Sequence, residues 1–120
     1  MEFVNSQKEH PEMNKLEKYL KVNGFDYSRN RTRLGWSDWD QILVFNDDRE
    51  VWDAVCHEYS YGYSEGLIEI MDRSIKYGLL TEDEREIDDV LGYLTADEII
   101  ERIERKRMSL RGKHNPYNET

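Results

Sequence analysis

The sequence predicts an α+β domain in which a small antiparallel sheet, a β-hairpin plus one further strand, packs with about four helices. Apolar residues recur at helical spacing near both ends of the chain. Two β-rich runs flank a polar turn near the middle, and two signatures typical of helix starts follow it. Strands adjacent in sequence usually pair antiparallel, so the expected order of elements is α-β-β-β-α-α-α.

The first helix is predicted over residues 11–24. Pro11 suits the first helical position, and Gly24 suits the stop. The apolar positions that share one face at helical spacing are Met13, Leu16 and Leu20.

The strands are predicted between residues 26 and 56. One short strand is expected over 26–31. A hairpin follows, formed by Gln41–Phe45 and Val51–Cys56, because both runs are rich in β-branched and aromatic residues. The turn between them consists of Asn46, Asp47 and Asp48.

Three helices are predicted after residue 64. The first contains an apolar stripe at helical spacing and ends at Gly78. The second, over 82–92, and the third, over 96–108, each begin behind a capping box. The stripe consists of Leu67, Ile70, Met71 and Ile75, and the capping boxes are Thr81 with Glu84 and Thr95 with Glu98.

The charge of the chain is negative and uneven. The net charge is -9, and residues 38–89 hold 16 acidic and 4 basic residues, a net charge of -12. Residues 102–113 hold 6 basic residues and 1 acidic residue, a net charge of +5. Such a chain repels nucleic acid, so direct DNA binding is not expected and a basic protein is the expected partner. The alternative is a solvated surface with basic residues at the negative end of a helix.

The length of the chain predicts its number of domains, and its cysteine content and lack of long apolar runs predict its cellular compartment. With 120 residues, one domain is expected, with flexible tails at about 1–10 and 111–120. The single cysteine, Cys56, suits a reducing compartment. The start of the chain is polar and acidic, and no apolar run approaches the roughly 20 residues of a membrane span. The expected protein is cytoplasmic, without membrane association.

The sequence offers no recognisable catalytic or cofactor motif. Cys56 and His57 are neighbours in a predicted strand, so their side chains point to opposite faces and cannot act as a pair. The other histidines, His10 and His114, lie in the predicted tails. Zinc-ligand spacing and phosphate-binding glycine loops are missing. We therefore expect neither an enzyme nor a cofactor. A small metal site or enzyme using Cys56 or His57 with nearby acids remains an alternative.

Aromatic residues interleaved with acids indicate a protein-binding surface. Trp and Tyr anchor contacts in interfaces, and acidic side chains steer a basic partner. The alternative is that these rings cover the edge of a small sheet. The candidate partner-binding residues are Trp36, Asp38, Asp40, Asp47, Asp48, Glu50, Asp53, Tyr59, Tyr61 and Tyr63.

Three segments resemble a group of small, mostly uncharacterised proteins from phages and mobile elements of Firmicutes. They are "NKLEKYLKVNG", "VWDAVCHEYSYGYSEGLIEIM" and "LGYLTADEIIERI", and the resemblance covers most of residues 14–104. Members of the group often have glycine where Asp72 stands here. The resemblance implies a protein that works in the cytoplasm of a host cell.

Small acidic phage proteins without catalytic motifs include many inhibitors of host defence, anti-CRISPR proteins among them. From this setting and the acidic charge of the chain, we expect an inhibitor that mimics DNA and binds a host nucleic-acid-binding protein. The candidate partner is a type II CRISPR effector nuclease or its guide-RNA complex. This chain is expected to bind it as a monomer or weak homodimer. An oligomeric phage accessory or assembly protein is the alternative.

Overall fold

The computed structural model describes residues 9–34, 37–74, 77–79 and 90–114. They form an antiparallel sheet of five strands in the sequential order β1-β2-β3-β4-β5, with two helices. A single 3-10 turn, Tyr63–Glu65, lies between β3 and β4. The elements are α1 (Pro11–Val22), β1 (Asp26–Leu34), β2 (Ser37–Asn46), β3 (Arg49–His57), β4 (Ile68–Asp72), β5 (Val90–Leu94) and α2 (Ala96–His114).

Both helices begin at the same end of the sheet and run side by side. The N–H of Ala96 donates to Oε1 of Glu12 at 2.7 Å, and Lys15 pairs with Asp97 at 2.9 Å. Further along, the hydroxyl of Tyr19 donates to Glu104. The predicted apolar face of α1 is confirmed, because Met13, Leu16 and Leu20 are fully buried against the sheet and α2.

The centre of the core is β3. Trp52, Ala54 and Cys56 lie in the hydrophobic core, as strand alternation predicts. The other side of this strand is nearly as well buried, because side chains from β2 and β4 flank it on that face. This burial includes the acidic side chain of Asp53.

The predicted hairpin is confirmed and extends further than expected. β2 and β3 pair antiparallel, and Asn46 faces Arg49 in the ladder, so only Asp47 and Asp48 form the turn. Their φ angles are 53° and 66°, the backbone of a type I′ turn. β1, predicted over 26–31, runs to Leu34.

The prediction of about four helices is wrong. The segment expected to form a helix with Leu67 and Ile70 contains β4, which pairs with β3 and buries Ile68, Ile70 and Asp72 on one side. A short apolar run fits either period, and pairing with the free side of β3 favours the strand. The described part of the chain thus holds five strands and two helices.

The other two predicted helices have different outcomes. Most of the helix expected over 82–92, with the capping box of Thr81 and Glu84, lies outside the described residues. Its last residues, from Val90, belong to β5. The final helix is confirmed, and its capping box forms: the N–H of Glu98 donates to Oγ1 of Thr95 at 3.1 Å, and the N–H of Thr95 donates to Glu98 at 2.8 Å.

Candidate functional site

Five rings gather along one end of the sheet, and we call this surface the aromatic edge. The imidazole of His57 stacks on the indole of Trp39 with ring centroids 4.5 Å apart and an interplanar angle of 7°. Tyr61 and Tyr93 form a second stacked pair at 6.3 Å. Their exposed fractions are 39% for Trp39, 86% for Tyr59, 55% for Tyr61 and 59% for Tyr93. The aromatic edge consists of Trp39, His57, Tyr59, Tyr61 and Tyr93.

The turn after β3 is held rigid by His57 and Ser60. The N–H and hydroxyl of Ser60 both donate to the carbonyl oxygen of His57 at 2.8 Å. The hydroxyl of Ser60 also accepts from the N–H of His57, and Nδ1 of His57 accepts from the N–H of Tyr59. These bonds position the exposed ring of Tyr59 without burying it.

Tyr61 is fixed to the last two strands of the sheet. Its N–H donates to Oε1 of Glu69 at 2.9 Å, and its carbonyl oxygen accepts from the N–H of Tyr93 at 3.2 Å. A Cβ atom at Gly92 would lie 2.3 Å from Cβ of Tyr61, so only glycine fits beneath this ring. Tyr93 itself has a φ of 59°, a left-handed backbone that is rare for a bulky residue. The chain therefore holds both rings outward at a cost in backbone strain.

Acidic side chains accompany the aromatic edge. Glu58 lies in the turn between His57 and Tyr59 and is partly exposed, and Glu65 is exposed in the following 3-10 turn. Rigid rings beside carboxylates offer an apolar contact and a negative field to the same partner.

Three of the predicted partner-binding acids lie inside the protein. Asp38, Asp40 and Asp53 are buried, Asp40 completely. Asp40 accepts two hydrogen bonds from Arg29, at 2.9 and 2.6 Å, and Asp53 accepts one from Gln41 at 2.8 Å. In this conformation none of the three carboxylates can meet a partner.

The other predicted site residues occupy varied positions. Asp47 and Asp48 are exposed in the turn between β2 and β3, at the end of the sheet away from the aromatic edge. Glu50 is half-buried and pairs with Arg73 at 2.7 Å. Tyr59 and Tyr61 belong to the aromatic edge, whereas Tyr63 points inward to Asp38. Trp36 lies outside the described residues.

A buried polar network joins the start of α1 to the sheet. Nε2 of His10 lies 2.9 Å from Oδ2 of Asp38, and its Nδ1 lies 3.3 Å from Sγ of Cys56. With the ring proton on Nε2, His10 donates a hydrogen bond to Asp38 and accepts one from the thiol of Cys56. The hydroxyl of Tyr63 donates to the same carboxylate oxygen at 2.9 Å, and burial together with this bond raises the pKa of Tyr63 to about 12.

The sequence of contacts from the thiol of Cys56 to the imidazole of His10 and the carboxylate of Asp38 is the one found in enzymes with a cysteine nucleophile. Here, however, all three side chains are buried. The exposed fractions of Cys56, His10 and Asp38 are 0%, 1% and 6%. A substrate carbonyl does not reach the sulfur in this conformation, so the network acts as a structural tie. Sequence reasoning excluded His57 as the partner of Cys56 and placed His10 in a tail. No local sequence pattern indicates that His10 contacts Cys56, because 46 residues separate the two.

A second buried network surrounds Arg29. Besides Asp40, its guanidinium donates to Glu17 of α1 at 2.7 Å. Burial disfavours the charged form of Arg29, but the bonds to both carboxylates outweigh it and raise the pKa of the guanidinium. Burial also opposes ionisation of Glu17, yet hydrogen bonds from Arg29 and Tyr27 hold its pKa below the ordinary value. Together these charges fix α1 against β1 and β2.

In comparisons with known proteins, no family model, curated protein or solved structure matches the chain. Within the described ranges, three or more His, Cys, Asp or Glu side chains nowhere gather so that they could hold a metal ion. Neither described helix is long and apolar enough to span a membrane.

Proposed function

We propose that this chain is an interaction protein that binds the basic surface of another protein through its aromatic edge. The observation that carries the proposal is the exposure of four aromatic rings on a turn and strand fixed by hydrogen bonds. Exposed apolar surface costs free energy in water, and Trp and Tyr are enriched at the anchors of interfaces. A rigid aromatic surface loses little entropy on binding, which favours affinity.

Charge supports a basic partner. The net charge of the chain is -9; Glu58 directly precedes the exposed Tyr59, and Glu65 is exposed in the 3-10 turn that follows Tyr61. Opposite charge accelerates the encounter of two proteins and excludes acidic competitors. The carboxylates that would serve this role are Glu58 and Glu65, with Asp47 and Asp48 further away; the buried Asp38, Asp40 and Asp53 are reserved for internal contacts.

In its most specific form, the proposal follows the resemblance to small phage and mobile-element proteins. The chain is then an anti-CRISPR protein that binds a type II CRISPR effector nuclease, or its guide-RNA complex, in the host cytoplasm. Its carboxylates occupy a groove lined by Lys and Arg that otherwise holds DNA phosphates. No chemistry by this chain is required.

The test is a binding titration of the purified chain with such a nuclease, loaded with guide RNA. We expect a complex at about 0.1 M salt that weakens steeply at about 1 M, since the Debye length falls from roughly 10 to 3 Å. Target DNA should compete with the chain for the nuclease. If no complex forms at low salt, this specific form of the proposal is wrong.

A second copy of the chain is the alternative partner, as in an oligomeric phage assembly protein. The exposed stack of Tyr61 and Tyr93 is the observation that favours it, because aromatic pairs also anchor homodimers. Light scattering separates the two functions. A mass of 14.5 kDa excludes the assembly protein, and a larger mass that falls when Tyr61 is replaced by Ala supports it.

A further inference from the structure

A cavity of about 370 Å³ opens at the end of the sheet opposite the aromatic edge. Its walls come from the segment after α1, the turn between β2 and β3, the loop after β4 and the middle of α2. This volume lies within the range of small-molecule sites, about 300–1,000 Å³. The cavity shares no residue with the aromatic edge.

The floor of the cavity is apolar. Val44, Trp52, Leu79 and Ile103 line it, and all four are almost fully buried in the core. The partly buried ring of Phe25 forms part of the wall. An apolar body in the cavity lies against this floor and displaces water from it.

The cations of the cavity come from α2. Lys106 and Arg107 both line it, and the guanidinium carbon of Arg107 lies 5.6 Å from the centroid of the Phe25 ring. Among the described residues, Arg107 contacts Tyr19 and Glu104 through Nη1, at 3.4 and 3.5 Å. A guanidinium has five N–H donors, and its planar shape suits a carboxylate.

The acidic residues of the cavity lie on a different wall from the basic ones, and this separation of charge orients an anionic ligand. Asp26 follows α1, and Asp47 belongs to the turn between β2 and β3; both are exposed. A bound anion is repelled by these carboxylates and attracted to the α2 side. An apolar molecule with a single acidic group therefore fits in one orientation.

We propose that the cavity binds a small aromatic carboxylate. Its ring lies on the apolar floor beside Phe25, and its carboxylate meets Lys106 and Arg107. This inference goes beyond the proposed function and is independent of it, because the two surfaces lie at opposite ends of β2 and β3. A ligand here would contact both the sheet and α2.

The test uses 2-naphthoate as the probe and 2-naphthalenemethanol as its neutral counterpart. Each is titrated into the full-length ¹⁵N-labelled chain and followed by amide chemical shifts. We expect saturable shifts at Gly24, Phe25 and Leu79, little change at Tyr61 and Tyr93, and about tenfold tighter binding of the carboxylate. No saturable shift at the cavity, or equal affinity for both probes, overturns the proposal.

Two double variants test whether Lys106 and Arg107 bind the carboxylate directly or whether the net charge of the protein attracts the anion. In Lys106→Gln with Arg107→Gln, we expect the preference for naphthoate over the alcohol to disappear. In the control, Lys18→Gln with Arg105→Gln, the same net charge is removed from exposed cations outside the cavity, and the preference should persist. A preference that survives in the first variant refutes the assignment of the carboxylate site. Amide spectra without ligand check that both variants fold.

Discussion

Sγ of Cys56 lies 3.3 Å from Nδ1 of His10, and the other ring nitrogen of His10 lies 2.9 Å from Asp38. The imidazole of His10, the residue before α1, thus contacts two neighbouring strands, β2 and β3. Because all three side chains are buried, water does not readily replace a hydrogen bond that is lost among them. The first two predictions follow from this relationship.

Replacing His10 by Ala should lower the free energy of unfolding by about 1–3 kcal/mol. The change leaves the buried carboxylate of Asp38 without its imidazole donor and opens space beside Cys56. Urea denaturation measures the loss, and Glu9→Ala, at the exposed neighbouring position, is the control. A loss no greater than that of the control would show that the network does not stabilise the fold.

The thiol of Cys56 should react slowly with a disulfide reagent such as Ellman's reagent in the native protein. Its side chain is fully buried, so reaction requires the start of α1 to leave the sheet. In His10→Ala we expect about 5- to 150-fold faster reaction, because a loss of about 1–3 kcal/mol makes the local opening easier by that factor. Fast reaction of the wild-type chain at a rate near that of the unfolded protein would contradict the buried position.

Asp53→Asn should stabilise the protein at neutral pH. Burial, together with Glu50 and Glu69 nearby, raises the pKa of Asp53 above its ordinary value of 3.8 despite the bond from Gln41. The folded chain therefore holds this proton more tightly than the unfolded chain. The stability that it contributes is present below about pH 3.8 and is lost as pH rises through the folded pKa.

Asparagine keeps an oxygen for Gln41 and does not ionise. Thermal unfolding of Asp53→Asn should therefore show a higher Tm than the wild type at pH 7, with the difference shrinking towards pH 3. Asp26→Asn, at an exposed position at the start of β1, is a control for the simple loss of one negative charge. An equal gain from both substitutions would mean that net charge, rather than burial of Asp53, explains the effect.

Gly92→Ala should destabilise the sheet by about 1–3 kcal/mol, the usual cost of overpacking. The new Cβ would lie 2.3 Å from Cβ of Tyr61, so one of the two backbones must move. Gly24→Ala is the control for the spectrum and not for the loss of stability: its added Cβ meets nothing within 4 Å, but its φ of +73° strains an alanine. Only the change at Gly92 should alter the near-ultraviolet circular dichroism of the Tyr61 and Tyr93 pair.

The parts of the fold with a local signal could be predicted from the sequence. The apolar spacing of Met13, Leu16 and Leu20, the capping box at Thr95 and the hairpin turn each depend on a few neighbouring residues. The segment containing Ile68 and Ile70 could not be assigned in this way, because its apolar residues fit a helix as well as a strand. Pairing with β3, a contact distant in sequence, determines its structure.

In the candidate site, too, some residues have a local sequence pattern that predicts their position and others do not. Alternation of three tyrosines along the sequence predicts Tyr59 and Tyr61 as binding residues; both rings are exposed, and their role in binding stays a prediction. The sequence predicts Asp38 and Asp40 as surface acids, because composition does not reveal that His10 and Arg29 bind them inside the protein. Tyr93 gave no signal of its own, because its position depends on the close approach of Gly92 to Tyr61.

The most direct test of the aromatic edge as a binding surface compares two variants in the titration with the nuclease and guide-RNA complex. Tyr59→Ala with Tyr61→Ala removes two exposed rings, and Val22→Ala trims an apolar side chain that is 74% exposed at the end of α1. We predict that the tyrosine variant binds at least about thirtyfold more weakly, a loss of about 2 kcal/mol or more, with unfolding unchanged. Val22→Ala should bind like the wild type. Wild-type affinity in the folded tyrosine variant would contradict the account.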